Sequence, residues 1–227
     1  MHIHVLQHHI DEGPGLIAQW ALVRHHFLHI HHVNANTHFS ALPMADLLVI
    51  LGGPMSVNDT APWLAHERDY IAAHLRQHRP IIGICLGAQQ IAKVLGAKVE
   101  GNTHREAGWY PIHATTEAPN WLPKSMTVLH WHGEVFDLPQ GANRLFASDV
   151  TPNQGFLYQD HVLALQCHLE VTATDVAKLV ASDAAYLDGR EHTQTAQDIT
   201  EFAVPSQNKE VMYRLLDHIA SPAPAGA

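Results

Sequence analysis

The chain has little cysteine, little charge and no long apolar run, and each shortage removes a class of explanation. Two cysteines in 227 residues, Cys85 and Cys167, build no disulfide framework, and their spacing matches no zinc-binding pattern. Each thiol therefore has to be judged alone. Charged residues make up only 15% of the sequence, with 13 Lys and Arg against 22 Asp and Glu. No segment gathers the basic residues into a patch, which disfavours a phosphate-backbone partner and hence nucleic acid. No apolar run reaches the length of about 18 residues that crosses a bilayer. The opening MHIHVLQHH lacks the basic region and long apolar stretch of a secretory signal. These absences lead us to expect a cytoplasmic protein with no membrane partner.

Histidine, by contrast, is abundant, at 21 residues. Because histidines titrate near neutrality, full protonation would carry the formal charge from −9 towards +12, so solubility is expected to depend on pH near about 6. The runs HHFLHIHH (25–32) and His8–His9 raise transition-metal binding. No carboxylate or cysteine completes a closed ligand set beside them, so solvated surface histidines are expected and no metal or cofactor is implied. Hydrophobic residues make up 46% of the chain. That is enough to cover a sheet on both faces of a single domain over residues 1–220, leaving SPAPAGA (221–227) as a flexible tail.

Hydrophobic periodicity sets the fold class. HIHVLQHH alternates as a strand, GPGLIAQWALVRHHF has helical spacing at Leu16, Trp20 and Val23, and LHIHHVNA is a second strand. ADLLVILGGP is a continuous apolar strand, and APWLAHERDYIAAHLRQHRP a helix closed by Pro80. This β-α-β-α order predicts an α/β protein: a three-layer open sheet, mostly parallel, with helices on both faces. From about residue 98 shorter strands with close turns follow (EAGWYPIHATT, MTVLHWH, RLFASD, GFLYQDHVLALQCH), predicting a mixed or antiparallel edge. TATDVAKLVASDAAYL and SQNKEVMYRLLDHIA read as terminal helices.

One stretch, PIIGICLGAQQIAKVLG (80–96), changes from strand to helix spacing at Cys85. In a parallel sheet this corner lies at the carboxyl end of a strand, where sites form. G-I-C-L-G has the form of a nucleophile elbow: a sharp turn exposes the thiol, Gly83 and Gly87 let strand and helix approach, and the helix N-terminus favours the thiolate. A thiolate needs a base, and LALQCHLEVT supplies one. In an extended chain His168 and Glu170 share a face, so the imidazole can reach the thiol while the carboxylate steadies its other nitrogen. Cys167 points the other way and is read as packing. Oxyanion donors are expected at the N–H of Leu86, directly after the nucleophile, and of Gly53 in LGGP.

GICLGAQ, LGGP and CHLE, in this order and spacing, resemble the class I (triad-type) glutamine amidotransferase family over residues 3 to about 180. The resemblance implies a flavodoxin-like amidotransferase fold and a Cys-His-Glu hydrolase that removes the γ-amide of glutamine through a γ-glutamyl thioester. It implies Cys85 as nucleophile, His168 as base, Glu170 as orienting acid, and Gly53 and Leu86 as the oxyanion hole. Gln89 matches the position that helps hold the substrate. HWHGE (130–134) is similar to the loop receiving the amino-acid end, implying contacts from Gly133 and Glu134, and REAGW (105–109) occupies the place of another site-forming segment.

Leu169 stands where many members have proline, so a backbone N–H is retained there. Too few residues follow Glu170 for an ATP-using synthetase domain, so the chain looks most like the solitary branch similar to the GMP synthase amidotransferase part. Any ammonia acceptor would then be a separate synthetase subunit. That branch includes γ-glutamyl peptide hydrolases, so the small-molecule substrate is either glutamine or another γ-glutamyl compound. A rival of another class is a redox-sensing or chaperone-like protein that uses Cys85 without hydrolysis and has no need of His168 and Glu170.

Overall fold

The continuous apolar runs early in the chain become the buried parallel half of one sheet. A computed structural model describes residues 1–221; residues 222–227 of the expected tail lie outside the described residues. Strands β1 (His2–Gln7), β2 (Phe27–His32), β3 (Leu47–Ile50) and β4 (Ile81–Ile84) pair in parallel. Helix α1 (Gly15–Val23) connects β1 to β2, and α2 (Pro62–Arg76) connects β3 to β4. Every residue of β3 and β4 is buried, which is why these strands show no polar alternation. Helix α3 (Leu86–Val94) follows β4 after the single residue Cys85.

The second half is antiparallel: β5 (Val99–Ala114), β6 (Ser125–Phe136), β7 (Ala142–Ala147), β8 (Gly155–Tyr158) and β9 (Val162–Leu165). The sheet order is β2-β1-β3-β4-β9-β8-β7-β5-β6, and the halves join where β9 lies parallel to β4, Ile84 beside Leu165. That join brings the residues after β9 alongside those after β4. Helices α4 (Ala173–Ser182), α5 (Ala196–Glu201) and α6 (Ser206–Ala220) complete the order. One core packs Trp20 of α1 and Met212 and Leu216 of α6 against the sheet; the other packs Leu64 and Ile71 of α2 and Ile91 of α3. Among the described residues no helix is long and apolar enough to cross a membrane.

One local expectation is corrected and one element is new. The strands after residue 98 are not all short: β5 has 16 residues and β6 has 12, paired along most of their length, with an irregularity between Gly101 and Glu106 that absorbs the polar run Asn102–His104. Helix α5 had no expectation, although its capping box, Thr195 with Asp198, is a local signal of a helix start.

The glycines around the corner have a steric reason. A Cβ on Gly87 would lie 2.1 Å from the carbonyl oxygen of Ile50, and one on Gly83 would lie 2.6 Å from the backbone of Gly87. Backbone thus packs on backbone where α3 leaves the sheet. Gly87→Ala is expected to push α3 off β3 and cost about 2–3 kcal/mol. Thermal unfolding should show Tm lowered by roughly 4–10 °C; an unchanged Tm would contradict this packing.

Candidate active site

Cys85 occupies the left-handed region, φ 49° and ψ −107°, a conformation that costs a non-glycine residue on the order of 1–3 kcal/mol. The corner is held from the sheet side, where the Cys85 N–H donates to the carbonyl of Leu165 at 2.8 Å. The turn presents the thiol to a cleft without exposing it as the elbow motif led us to expect. The residue is only 8% exposed, because Trp131 and Gln166 close over it: Sγ lies 3.8 Å from the Trp131 carbonyl oxygen and 3.6 Å from the Gln166 amide nitrogen.

Beyond β9 the chain bends on either side of His168, whose N–H donates to the carbonyl of Leu129 at 2.8 Å and pins this segment to β6. His168 Nδ1 sits 2.8 Å from Glu170 Oε1, both residues buried. A carboxylate on Nδ1 leaves Nε2 for a second partner. Burial opposes charge on this imidazole, but the Glu170 carboxylate and the neighbouring Cys85 sulfur outweigh it and hold the His168 pKa well above its ordinary value. Cys167, of opposite parity, is fully buried, and burial pushes its thiol pKa up. Leu169 buries its side chain completely, a packing role proline would not fill.

Gly53 and Leu86 line the same cleft as Cys85. Leu86 opens α3, so its N–H has no acceptor within the helix. At Gly53 a Cβ would lie 2.8 Å from the His8 Cβ and 3.0 Å from the Leu86 side chain, so only glycine lets the backbone pass. Gln89 also reaches the cleft, and its amide donates to Gln166 Oε1 at 3.1 Å. Gly133 and Glu134 are there too, Glu134 accepting from the Ser56 hydroxyl at 2.7 Å. HWHGE is not a loop, however. It lies within β6, where His132 pairs with Glu106 of β5, and His130 and His132 are buried.

In and around the cleft, about 450 Å³ in volume, lie residues that sequence reasoning missed or gave no role. Gln166 was findable, because it shares the parity of His168 and Glu170. Arg105 stacks 4.0 Å from the centre of the Tyr186 ring, Tyr186 stacks on Trp131, and the Trp131 indole donates to Asp183 at 3.0 Å. Glu12 lies close to Gly52 and His168, and burial raises its carboxyl pKa.

Two groups among the described residues have spacing that could hold a metal: His104 with Glu191 and His192 at the surface, and Glu106 with His130 and His132 inside. In the buried group the Gln154 amide nitrogen sits 2.8–3.2 Å from all three side chains, in the place a cation would take. Burial works against charge on Glu106, but His132, His130 and the Thr151 hydroxyl hold its pKa down at about 2. Burial, as the leading cause, lowers the His130 pKa to about 3. Within 25–32, His25, His29 and His32 are exposed as expected. His8 is not: it is buried against Glu67, a partner 59 positions away that the local sequence does not reveal.

Residues 17–185 match the family model described as glutamine amidotransferase class-I. The chain is 31% identical to the glutamine amidotransferase-like protein YfeJ of Salmonella typhimurium, over 96% of this chain and 97% of that one. It is 29% identical to the glutamine-hydrolysing GMP synthase of Latilactobacillus sakei over 72% of this chain, but spans only 32% of that longer protein. The crystal structure of a glutamine amidotransferase from Thermotoga maritima superposes with a TM-score of 0.89 at 27% identity, covering 98% of this chain and 99% of that one.

Proposed function

Because this chain belongs to the class-I glutamine amidotransferase family, we propose that it hydrolyses the γ-amide of glutamine through a γ-glutamyl thioester on Cys85. The observation that carries this reading is a thiol at a strained corner that shares one cleft with Gly53 and Leu86 and neighbours an imidazole backed by a buried carboxylate. His168 takes the Cys85 proton, and the thiolate attacks the γ-carbonyl. The amides of Gly53 and Leu86 stabilise the tetrahedral oxyanion. His168 then returns the proton to the leaving nitrogen, freeing ammonia. Water, activated by the same imidazole, cleaves the thioester to glutamate and restores the thiol. Glu170 steadies the imidazole without itself taking the proton. The chemistry requires no metal or cofactor.

Glu134, in the lining of the cleft, receives the substrate ammonium in this reading; Gly133 offers backbone contacts to the amino-acid end, and Gln89 orients the amide through Gln166. Glu134→Gln is expected to raise KM for glutamine by roughly tenfold to a hundredfold with kcat nearly unchanged, because a charge-assisted bond made equally in ground and transition states is lost. A fall in kcat at constant KM would contradict that placement.

A second reading keeps the chemistry and changes the leaving group. The cleft volume of about 450 Å³ leaves room beyond the γ-carbonyl for an amine larger than ammonia, walled by Trp131, Asp183 and Tyr186. Incubating the protein with glutamine, γ-glutamyl peptides and a γ-glutamyl anilide, and measuring glutamate release, separates the two. Preference for glutamine, strengthened by a separate synthetase subunit, supports the first. Turnover of peptides alone supports the second.

A further inference from the structure

His8 leaves the end of β1 beside the Leu51–Gly53 segment that follows β3, where the Leu51 N–H donates to the Leu6 carbonyl at 3.0 Å. Its ring is buried and engaged at both nitrogens. Nδ1 lies 3.1 Å from the carbonyl oxygen of Leu51 and 3.2 Å from that of Gly52, while Nε2 lies 2.7 Å from Glu67 Oε1. Carbonyl oxygens only accept, so Nδ1 carries a proton. The other Glu67 oxygen accepts from the Gln90 amide at 2.6 Å, and the side chains of both His8 and Glu67 are 0% exposed. Trp63 stacks on the imidazole with ring centres 5.7 Å apart. A charge pair so deeply buried is costly to assemble and has to be satisfied at each end.

The geometry of a trans peptide gives this cluster a consequence. The Gly52 carbonyl and the Gly53 N–H belong to one planar unit and point in opposite directions. A bond that ties the carbonyl to His8 turns the N–H away from His8, towards the cleft that Gly53 shares with Cys85 and Leu86. Gly53 has no Cβ to restrict its backbone rotation, and none could be added, because a side chain there would meet His8 and Leu86. An amide that must meet a developing oxyanion cannot be left on a freely rotating glycine.

We propose that His8, bridged between the buried Glu67 carboxylate and the carbonyls of Leu51 and Gly52, is a positioning residue that locks the Gly52–Gly53 peptide so that its N–H forms one half of the oxyanion hole. The proposal rests on the reading of Gly53 as an oxyanion donor. Burial works against the His8 charge, but Glu67 outweighs it and raises the pKa, which favours a proton on each ring nitrogen.

The test compares two double variants, each of which also removes the Glu67 charge so that no unpaired carboxylate is buried. His8→Phe with Glu67→Gln keeps a ring against Trp63 and removes the donor to Gly52. His8→Asn with Glu67→Gln places an amide N–H near the position of Nδ1. Glutamate release from glutamine or the γ-glutamyl anilide is measured alongside alkylation of Cys85 by iodoacetamide, a displacement at carbon that forms no oxyanion. The phenylalanine variant is expected to lose roughly tenfold to a hundredfold in kcat with KM within about threefold and alkylation unchanged, and the asparagine variant to recover most of the loss. Unchanged kcat in the phenylalanine variant overturns the role of His8, as does a parallel fall in hydrolysis and alkylation, which marks a merely structural residue. No hydrolysis by the unaltered protein on either substrate, with alkylation intact, overturns the hydrolase reading and the His8 proposal with it.

Discussion

Cys85→Ala is expected to abolish glutamate release, by about 10⁴-fold or more, while the protein remains folded. The size follows from the chemistry: without the sulfur no thioester forms, and His168 alone would have to drive water directly onto an unactivated amide. The selectivity follows from the structure. Alanine at φ 49° is as strained as cysteine, so the strain is common to both and the elbow keeps its shape. What is lost is one atom facing a cleft, which costs about 1 kcal/mol and lowers Tm by no more than roughly 4 °C. Cys167 serves as the internal control. It is fully buried against the Gln154 carbonyl, so Cys167→Ala should retain turnover, with only a packing cost to stability. Hydrolysis by Cys85→Ala at the rate of the unaltered protein would remove the nucleophile from the mechanism.

The next largest effect is expected at His168. His168→Ala removes both the base that takes the thiol proton and the acid that returns it to the leaving nitrogen, and kcat should fall on the order of 10²–10⁴-fold. Glu170→Gln keeps the imidazole and most of its placement, so the loss should be smaller, on the order of tenfold to a hundredfold. The pair also makes a prediction with a sign. The Glu170 carboxylate is the leading cause raising the His168 pKa against burial, so the ring stays protonated to higher pH than an ordinary histidine. If the imidazolium is the form that donates to the leaving nitrogen, activity falls as pH rises through that pKa. Removing the carboxylate lowers the pKa and moves this basic limb to lower pH. No glutamate release by the unaltered protein, with reversible oxidation of Cys85 that persists in His168→Ala, would instead favour a redox-sensing protein.

The parts of the site that were legible in the sequence are those with a local trace. Cys85 stands where strand spacing becomes helix spacing, His168 and Glu170 share a parity, and Gly53 ends an apolar run; the fold brings Cys85 and Gly53 to one cleft and, because β9 lies against β4, sets His168 and Glu170 beside it. Gln166 had the same parity signal and was overlooked. What left no trace depends on pairing between distant segments. The long β5–β6 ladder turns HWHGE from the expected loop into strand and buries Glu106 beside His130 and His132. His8 is similar: its meaning comes from Glu67 on α2 and from the carbonyls after β3, and a run of histidines in the sequence carries neither.

The most direct test of the thioester on Cys85 is mass spectrometry of the protein quenched in acid during turnover of glutamine or a γ-glutamyl anilide, with the adduct mapped by peptide digestion. The expected result is a chain heavier by one γ-glutamyl group, carried on the peptide containing Cys85, absent from Cys85→Ala and accumulating if Glu170→Gln slows deacylation more than acylation. Steady glutamate release from a protein that still hydrolyses when Cys85 is blocked, or an adduct on Cys167 in its place, would contradict it.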